Sequence, residues 1–356
     1  MTYKKFLSIL LGSLLLYISF HLLVWNLYSK KIFGLSDKES VGDLARLSYR
    51  PDMTFKKTLE YTLPKSHLHN KNFTNQKLDL ITIGDSFSYG GGFGKNPFYQ
   101  DFLASQYNIN VLNIGTKNIS EYIETAVNLH NKGFFKEHPT KYLLLESVVR
   151  LTPMRFAKDI KWEYNKKIIL RKKMKNIYHQ DIDFINTINY KIVMAKIEHT
   201  LLGKNPTHGI YNFETDKQLF SLSKKNILIY YSDIENLVAY KKDIIHKMNN
   251  NLNKLAKILK QDNVQLIVMP VVDKYDLYYT HLLNNKYPKN NFFDLMRDEK
   301  KEYLFVDTKK ILSKLLKKNE KDIFYIDDTH WSDKASKAIS DAKLFHTLFE
   351  DKKEKK

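Results

Sequence analysis

"LDLITIGDSFSYGGGFG", residues 78–94, runs from a stretch that reads as a buried strand into a loop holding five of the chain's twelve glycines. A strand that empties into glycines around Ser86 has three readings: a phosphate cradle, a presented nucleophile, or a flexible turn. The phosphate reading fails on spacing. A P-loop needs Gly, four residues, then Gly-Lys-Ser/Thr. Gly94-Lys95 is preceded five residues earlier by Tyr89 and followed by Asn96. The G-x-G-x-x-G dinucleotide pattern fails as well, since from Gly90 it requires glycine where Lys95 stands.

The pattern around the loop is a strand-helix alternation. "NPFYQDFLASQY" reads as a helix with Pro97 in its first turn, "INVLNIG" as a strand ending at Gly115, "ISEYIETAVNLHNKG" as a helix stopped by Gly133, and "KYLLLES" as a strand. The rhythm lapses over about 152–225, an insertion rich in lysine. It returns with Ser232 as N-cap of a helix through Lys260, the strands "VQLIVMP" and "EYLFVDT", the helix "KKILSKLLKK", and "DIFYIDDTHW" leading into a final helix capped by Ser332. The charged end "EDKKEKK" reads as frayed. Such alternation predicts an α/β fold with a mostly parallel sheet covered on both faces. Ligands of such sheets bind beyond the carboxyl ends of strands, which is where Ser86 falls.

The chain's 356 residues, 43% hydrophobic and 13% aromatic, suffice for a sizeable core. The absence of cysteine removes disulfides, thiolate nucleophiles and Cys-ligated zinc. A formal charge of +19 raises nucleic acid, an anionic membrane face and an acidic polymer as partners. A composition rich in Lys, Asn and Ile also accounts for much of that charge without any partner. No nucleic-acid motif is visible, and nucleic acid is not expected.

Residues 1–31, "MTYKKFLSILLGSLLLYISFHLLVWNLYSKK", place an apolar run between Lys4-Lys5 and Lys30-Lys31. Its length matches the ~20 residues that cross a bilayer core. No small-residue cleavage site follows, and Trp25 and Tyr28 suit the interface. We expect an uncleaved single-pass signal anchor in the inner (cytoplasmic) membrane, with the main domain on the periplasmic, extracytoplasmic side. Residues 32–76 read as a polar connector and 77–356 as the catalytic domain.

A presented serine needs a general base and a carboxylate to orient it. His330, in "FYIDDTHWSDKAS", follows Asp327 by three residues and Asp328 by two, at a strand-to-helix junction late in the sheet. "IGDSFS" and "DDTHW" together resemble the two end motifs of the SGNH (GDSL-type) hydrolases. The Trp331 after the histidine resembles the alginate and peptidoglycan O-acetyltransferase branch. "VLNIG", "LLLESVVR" and "VMPVVDKYDLYY" resemble intermediate blocks, so the resemblance spans about 77–345.

That resemblance implies a three-layer SGNH-like sandwich. Ser86 would be the nucleophile and His330 the base, oriented by Asp327 or Asp328; spacing leaves both open. The amide of Gly115 would join an oxyanion hole. Glu146 stands where the hydrolases have an oxyanion-hole asparagine, and Arg150, Lys274 and Trp331 are candidate substrate-binding residues. No metal or other cofactor is implied. The expected activity is an O-acetyltransferase moving acetyl groups onto a cell-wall or exported polysaccharide through an acetyl-serine. A membrane-embedded protein would supply the acetyl group. An SGNH carbohydrate O-acetyl esterase and a non-catalytic polysaccharide-binding protein are the alternatives.

His67 and His69 read as surface residues of the connector, and Asp233 and Glu235 as acids complementing a helix dipole. Residues 155–175 read as a partly amphipathic basic helix. Tyr164, Ile168, Ile169 and Met174 form its apolar stripe, with Arg155, Lys158, Lys161, Lys166, Lys167, Arg171, Lys172, Lys173 and Lys175 available to an anionic lipid or glycan.

Overall fold

A computed structural model describes residues 1–33, 41–55, 57, 61–69, 71–89, 97–170, 183–222 and 224–350. The glycines at 90, 91, 92 and 94, the basic residues Arg171, Lys172, Lys173 and Lys175 with Met174, and the tail from 351 onward lie outside the described residues.

Eight strands are described: β1 (Leu80–Ile83), β2 (Val111–Gly115), β3 (Tyr142–Val148), β4 (Ile169–Leu170), β5 (Ile210–Glu214), β6 (Asn226–Tyr230), β7 (Gln265–Val271) and β8 (Leu304–Phe305). Six form the central sheet in the order β4-β2-β1-β3-β7-β8. β1 pairs in parallel with β2 on one side and β3 on the other, with Ile83 opposite Ile114 and Leu145. β4 alone in this sheet runs antiparallel. The strands are near-continuous apolar runs, as a sheet buried on both faces requires, and every residue of β1 is buried.

The chain leaves β1 toward β2 in one direction and leaves β2 toward β3 in the other. Right-handed crossovers therefore put the intervening helices on opposite faces. Tyr99–Gln106 packs with Asp333–Ser340, which also meets Thr308–Lys317. Tyr122–Asn131 packs with Lys242–Lys260 and Thr152–Phe156. The result is the expected three-layer α/β sandwich, and its strand order reverses at β1. Ser86 begins the short helical turn Ser86–Tyr89 at that crevice.

Several local readings change. The helix expected to run unbroken from Ser232 to Lys260 is three pieces, Tyr231–Glu235, Asn236–Ala239 and Lys242–Lys260. The last helix is two, Asp333–Ser340 and Lys343–Phe349. The insertion contains β4 and β5, and β5 forms a hairpin with β6 just beyond it. Arg155 and Phe156 end the helix Thr152–Phe156, 157–168 is irregular and 169–170 is strand, so the described part of the basic stretch is not one helix.

Residues 32–76 are not a free connector where they are described. Leu44, Ala45 and Met53 are buried, and Leu68 bridges to Leu112 alongside β2. His67, expected at the surface, is buried and its Nδ1 lies 2.7 Å from Asp101 Oδ1.

The N-terminal segment is helical from Tyr3 to Phe33, with a π-helical turn at Trp25–Ser29. It is long and apolar enough to cross a membrane.

Candidate active site

The turn after β1 is held from beneath. Glu146, fully buried at the end of β3, accepts hydrogen bonds at Oε2 from the Asp85 N–H at 2.9 Å and from Ser88 Oγ at 2.7 Å. The Ser88 carbonyl accepts from Gln100 and Asn113 side chains, each at 2.7 Å. Ser88 stands where a G-x-S-x-G elbow has its second glycine, and its hydroxyl ties the turn to the sheet. Gly84 is required here, because a Cβ would collide with Ser88 Oγ and Glu146 Oε2. Asp85 accepts from the Phe87 N–H at 3.2 Å and the Val148 N–H at 2.9 Å, and pairs with Arg155 Nη1 at 2.5 Å. Burial alone would raise the Asp85 pKa; the Arg155 charge and these hydrogen bonds bring it below the usual carboxylate range. Glu146 is pushed far up by burial and by the Asp85 charge, which keeps it protonated.

The N–H groups of Asp85, Phe87 and Ser88 are thus all engaged. That of Ser86 has no acceptor among the described residues. The Ser86 hydroxyl faces His330, with Oγ 2.6 Å from Nε2. On the other side of the ring, Nδ1 lies 2.5 Å from Asp328 Oδ1, which also accepts the His330 N–H at 3.0 Å. Phe87 packs on the imidazole at 4.7 Å between ring centroids.

Asp327 faces elsewhere, its Oδ2 accepting the N–H groups of Gly42 at 2.8 Å and Phe55 at 3.2 Å. The two carboxylates that spacing could not separate are therefore distinguished by geometry: Asp328 is the one at the histidine.

The sequence reading missed what surrounds Asp328. Lys57, buried, donates from Nζ to Asp328 Oδ2 at 3.0 Å. Burial by itself raises the Asp328 pKa. The Lys57 charge, then His330, then hydrogen bonds from both bring it well below the ordinary carboxylate value. Lys57 is held charged by the same pair against its own burial. Asp43 accepts from the Thr329 N–H at 2.8 Å and hydroxyl at 2.6 Å. The Ala45 N–H reaches the Asp327 carbonyl at 3.1 Å, and a Cβ on Gly42 would strike that carbonyl. Residues 41–55 and Lys57 thus form a strap across the loop that presents His330. No local pattern signals it, because each contact joins residues more than 270 positions apart.

Other expected site residues have other neighbours. Lys274 is buried with its ammonium donating to the carbonyls of Tyr325, Ile326 and Asp328, at 2.8, 2.8 and 3.1 Å. Burial pushes it down to about 7 against the pull of Asp327 and Asp328. It clamps the His330 loop rather than lining an open cleft. Trp331 is fully buried, edge-on to Phe87 at 4.9 Å. Glu146 lies under the turn, hydrogen-bonded to it, and is not an oxyanion donor.

Arg150 pairs with Asp233 at 2.9 Å and lies over the Tyr230 ring. Asp233 is accordingly a buried ion-pair partner and not only a dipole complement. Gly115 ends β2 level with Gly84, beside Ile169 of β4. Arg155, assigned above to a basic surface, is fully buried: it bonds Asp85 and Ser147 and lies over the Tyr122 ring.

Asp43, Asp328 and His330 bring ligand atoms within 4.8 Å of one another. Lys57 already neutralises Asp328 and Thr329 already occupies Asp43, so the cluster is an internally satisfied polar network, not a metal cradle.

Residues 229–343 match the family described as SGNH hydrolase-like domain, acetyltransferase AlgX. That segment is similar to an SGNH hydrolase-like domain. The matched segment carries Lys274, Asp327, Asp328, His330 and Trp331, and leaves Ser86 outside. The serine is joined to it by geometry, across the sheet at 2.6 Å. No curated protein matches the chain. The match supports an enzyme of the SGNH acetyltransferase or hydrolase type.

Proposed function

We propose that this protein is a membrane-anchored, extracytoplasmic O-acetyltransferase acting on a cell-wall or exported polysaccharide. The observation that carries the reading is the hydrogen-bonded series Ser86 Oγ, His330 Nε2, His330 Nδ1, Asp328 Oδ1 within an SGNH-like domain whose matched family is an acetyltransferase.

His330 removes the Ser86 proton as Oγ attacks an acetyl carbonyl, and Asp328 orients the ring and stabilises the imidazolium. The Ser86 N–H, free of an acceptor among the described residues, is turned to the oxyanion, and the family resemblance adds the Gly115 N–H. Each such donor contributes roughly 3 kcal/mol of transition-state stabilisation. The intermediate collapses as His330 protonates the leaving group, giving acetyl-Ser86. His330 then deprotonates a sugar hydroxyl as it attacks the acetyl carbonyl, and returns that proton to Ser86 Oγ as the acetyl–serine bond breaks. The membrane-crossing helix keeps the domain beside a membrane-embedded acetyl donor.

Full-length protein in detergent is incubated with p-nitrophenyl acetate, with and without oligosaccharide acceptors. Acetylated sugar formed only with active enzyme supports transfer. Free acetate as the sole fate of the acetyl group, whatever the acceptor, makes the protein an esterase. Ser86→Ala is expected to lower acetyl-ester turnover by at least about 10³-fold and to remove the acetyl-peptide adduct at residue 86 seen by mass spectrometry. Wild-type turnover by a folded Ser86→Ala protein would refute the assignment.

A further inference from the structure

The helix Ile188–Thr200 has two apolar faces. One is used: Ile192 is buried in a small cluster with Val24, Ile32, Val41 and Ala45, and Ala195 is buried as well. The other carries Tyr190, Met194, Ile197 and Leu201 at spacings of four, three and four, which places them on one stripe of a 3.6-residue helix and its exit. Tyr190 is 45% exposed, Met194 54% and Leu201 75%. Phe184, Ile185 and Leu202, at the two ends, are exposed as well.

What covers this stripe is indicated by what the helix packs on. Tyr190 stacks on Phe20 at 4.9 Å. Asn189 bonds His21 Nδ1 at 2.7 Å and Ser29 Oγ at 2.5 Å. Lys196 donates to the Tyr28 hydroxyl at 2.8 Å. Counted from Tyr3, ~20 residues bring the chain to the far edge of a bilayer core at about Leu22. Phe20 and His21 therefore lie at that edge, and His21 Nδ1 and Ser29 Oγ are met by Asn189 rather than left to lipid.

We propose that Ile188–Thr200 is an interfacial helix, seated in the headgroup and upper acyl region of the same bilayer, with the Tyr190, Met194, Ile197 and Leu201 stripe against lipid. It rests on the reading of Tyr3–Phe33 as a membrane-crossing helix. Lys191, exposed beside the stripe, suits anionic headgroups. A helix of this kind sinks about 5–10 Å into the interface. It holds the domain in a fixed attitude to the membrane instead of trailing it on a tether.

The chain has no cysteine, so spin labels go in one at a time without background removal. Full-length Met194→Cys, Leu201→Cys, Leu15→Cys and Lys337→Cys proteins are labelled and reconstituted in phosphatidylcholine–phosphatidylglycerol vesicles. Collision with oxygen, which partitions into lipid, is compared with collision with a nickel chelate, which stays in water. We expect residues 194 and 201 to favour oxygen several-fold over residue 337 and to approach residue 15. Nickel collision at 194 and 201 equal to that at 337, with 15 still lipid-exposed, overturns the proposal. Exclusion of both probes at 194 and 201, with 15 lipid-exposed, also overturns it and makes the stripe a protein contact. Nickel access at 15 defeats the membrane-crossing reading itself, and the proposal with it.

Discussion

Asp327 and Asp328 are adjacent, and only one of them meets the imidazole. Asp328→Asn keeps the volume but removes the charge and permits the wrong tautomer, so kcat is expected to fall by about 10³–10⁴-fold. Asp327→Asn retains an oxygen that can accept from the Gly42 and Phe55 N–H groups. Its effect on kcat is expected to stay within about threefold, the price of moving two hydrogen bonds. Steady-state kinetics on the two variants check the assignment, and equal losses would remove Asp328 from its place. Sequence alone could not divide these neighbours, because a carboxylate two or three residues before a histidine can reach its ring from either position. Ser86 and His330 were legible for a different reason. Each ends a strand-like run, and parallel sheets bring such ends to one edge.

The strap of residues 41–55 and Lys57 acts as an element, and Lys57 is its deepest charge. The Asp328 carboxyl lies below its unfolded pKa of about 3.9, so its stabilising effect is complete above that value and is lost as pH falls through the folded one. Removing Lys57 takes away the largest charge that opposes burial, and the Asp328 pKa rises. Lys57→Met is therefore expected to move the acid limb of kcat/KM to higher pH and to lower stability by about 3 kcal/mol. Lys57→Arg should restore part of both. The checks are a pH–rate profile and a thermal melt; an unmoved acid limb in a folded Lys57→Met protein would assign Lys57 a purely structural part. This element was invisible in the sequence because its residues are polar, scattered and matched only by distant partners. Arg155 was misread for a related reason: in a charge run, one arginine that turns inward to Asp85 has the same letter as those that stay in water.

At the scale of the whole molecule, the N-terminal apolar helix and the α/β domain share a packed cluster. A protein lacking residues 1–33 loses Val24 and Ile32 from it and exposes Ile192, Val41 and Ala45 to water. It is expected to self-associate and to melt at a lower temperature than the full chain, as light scattering and calorimetry would show; a monomer of unchanged stability would mean that this packing contributes nothing. The strap has a further consequence in time. Lys57 is made early and its partner Asp328 comes 271 residues later. At ~5–20 residues per second of synthesis, that is a wait of about 15–50 s. Throughout it a nascent chain carries its serine without its base. Ribosome-bound chains, and fragments cut short before residue 330, are thus born chemically silent, and the ester-cleaving power of the serine is withheld until the last tenth or so of the polypeptide has folded back onto its beginning.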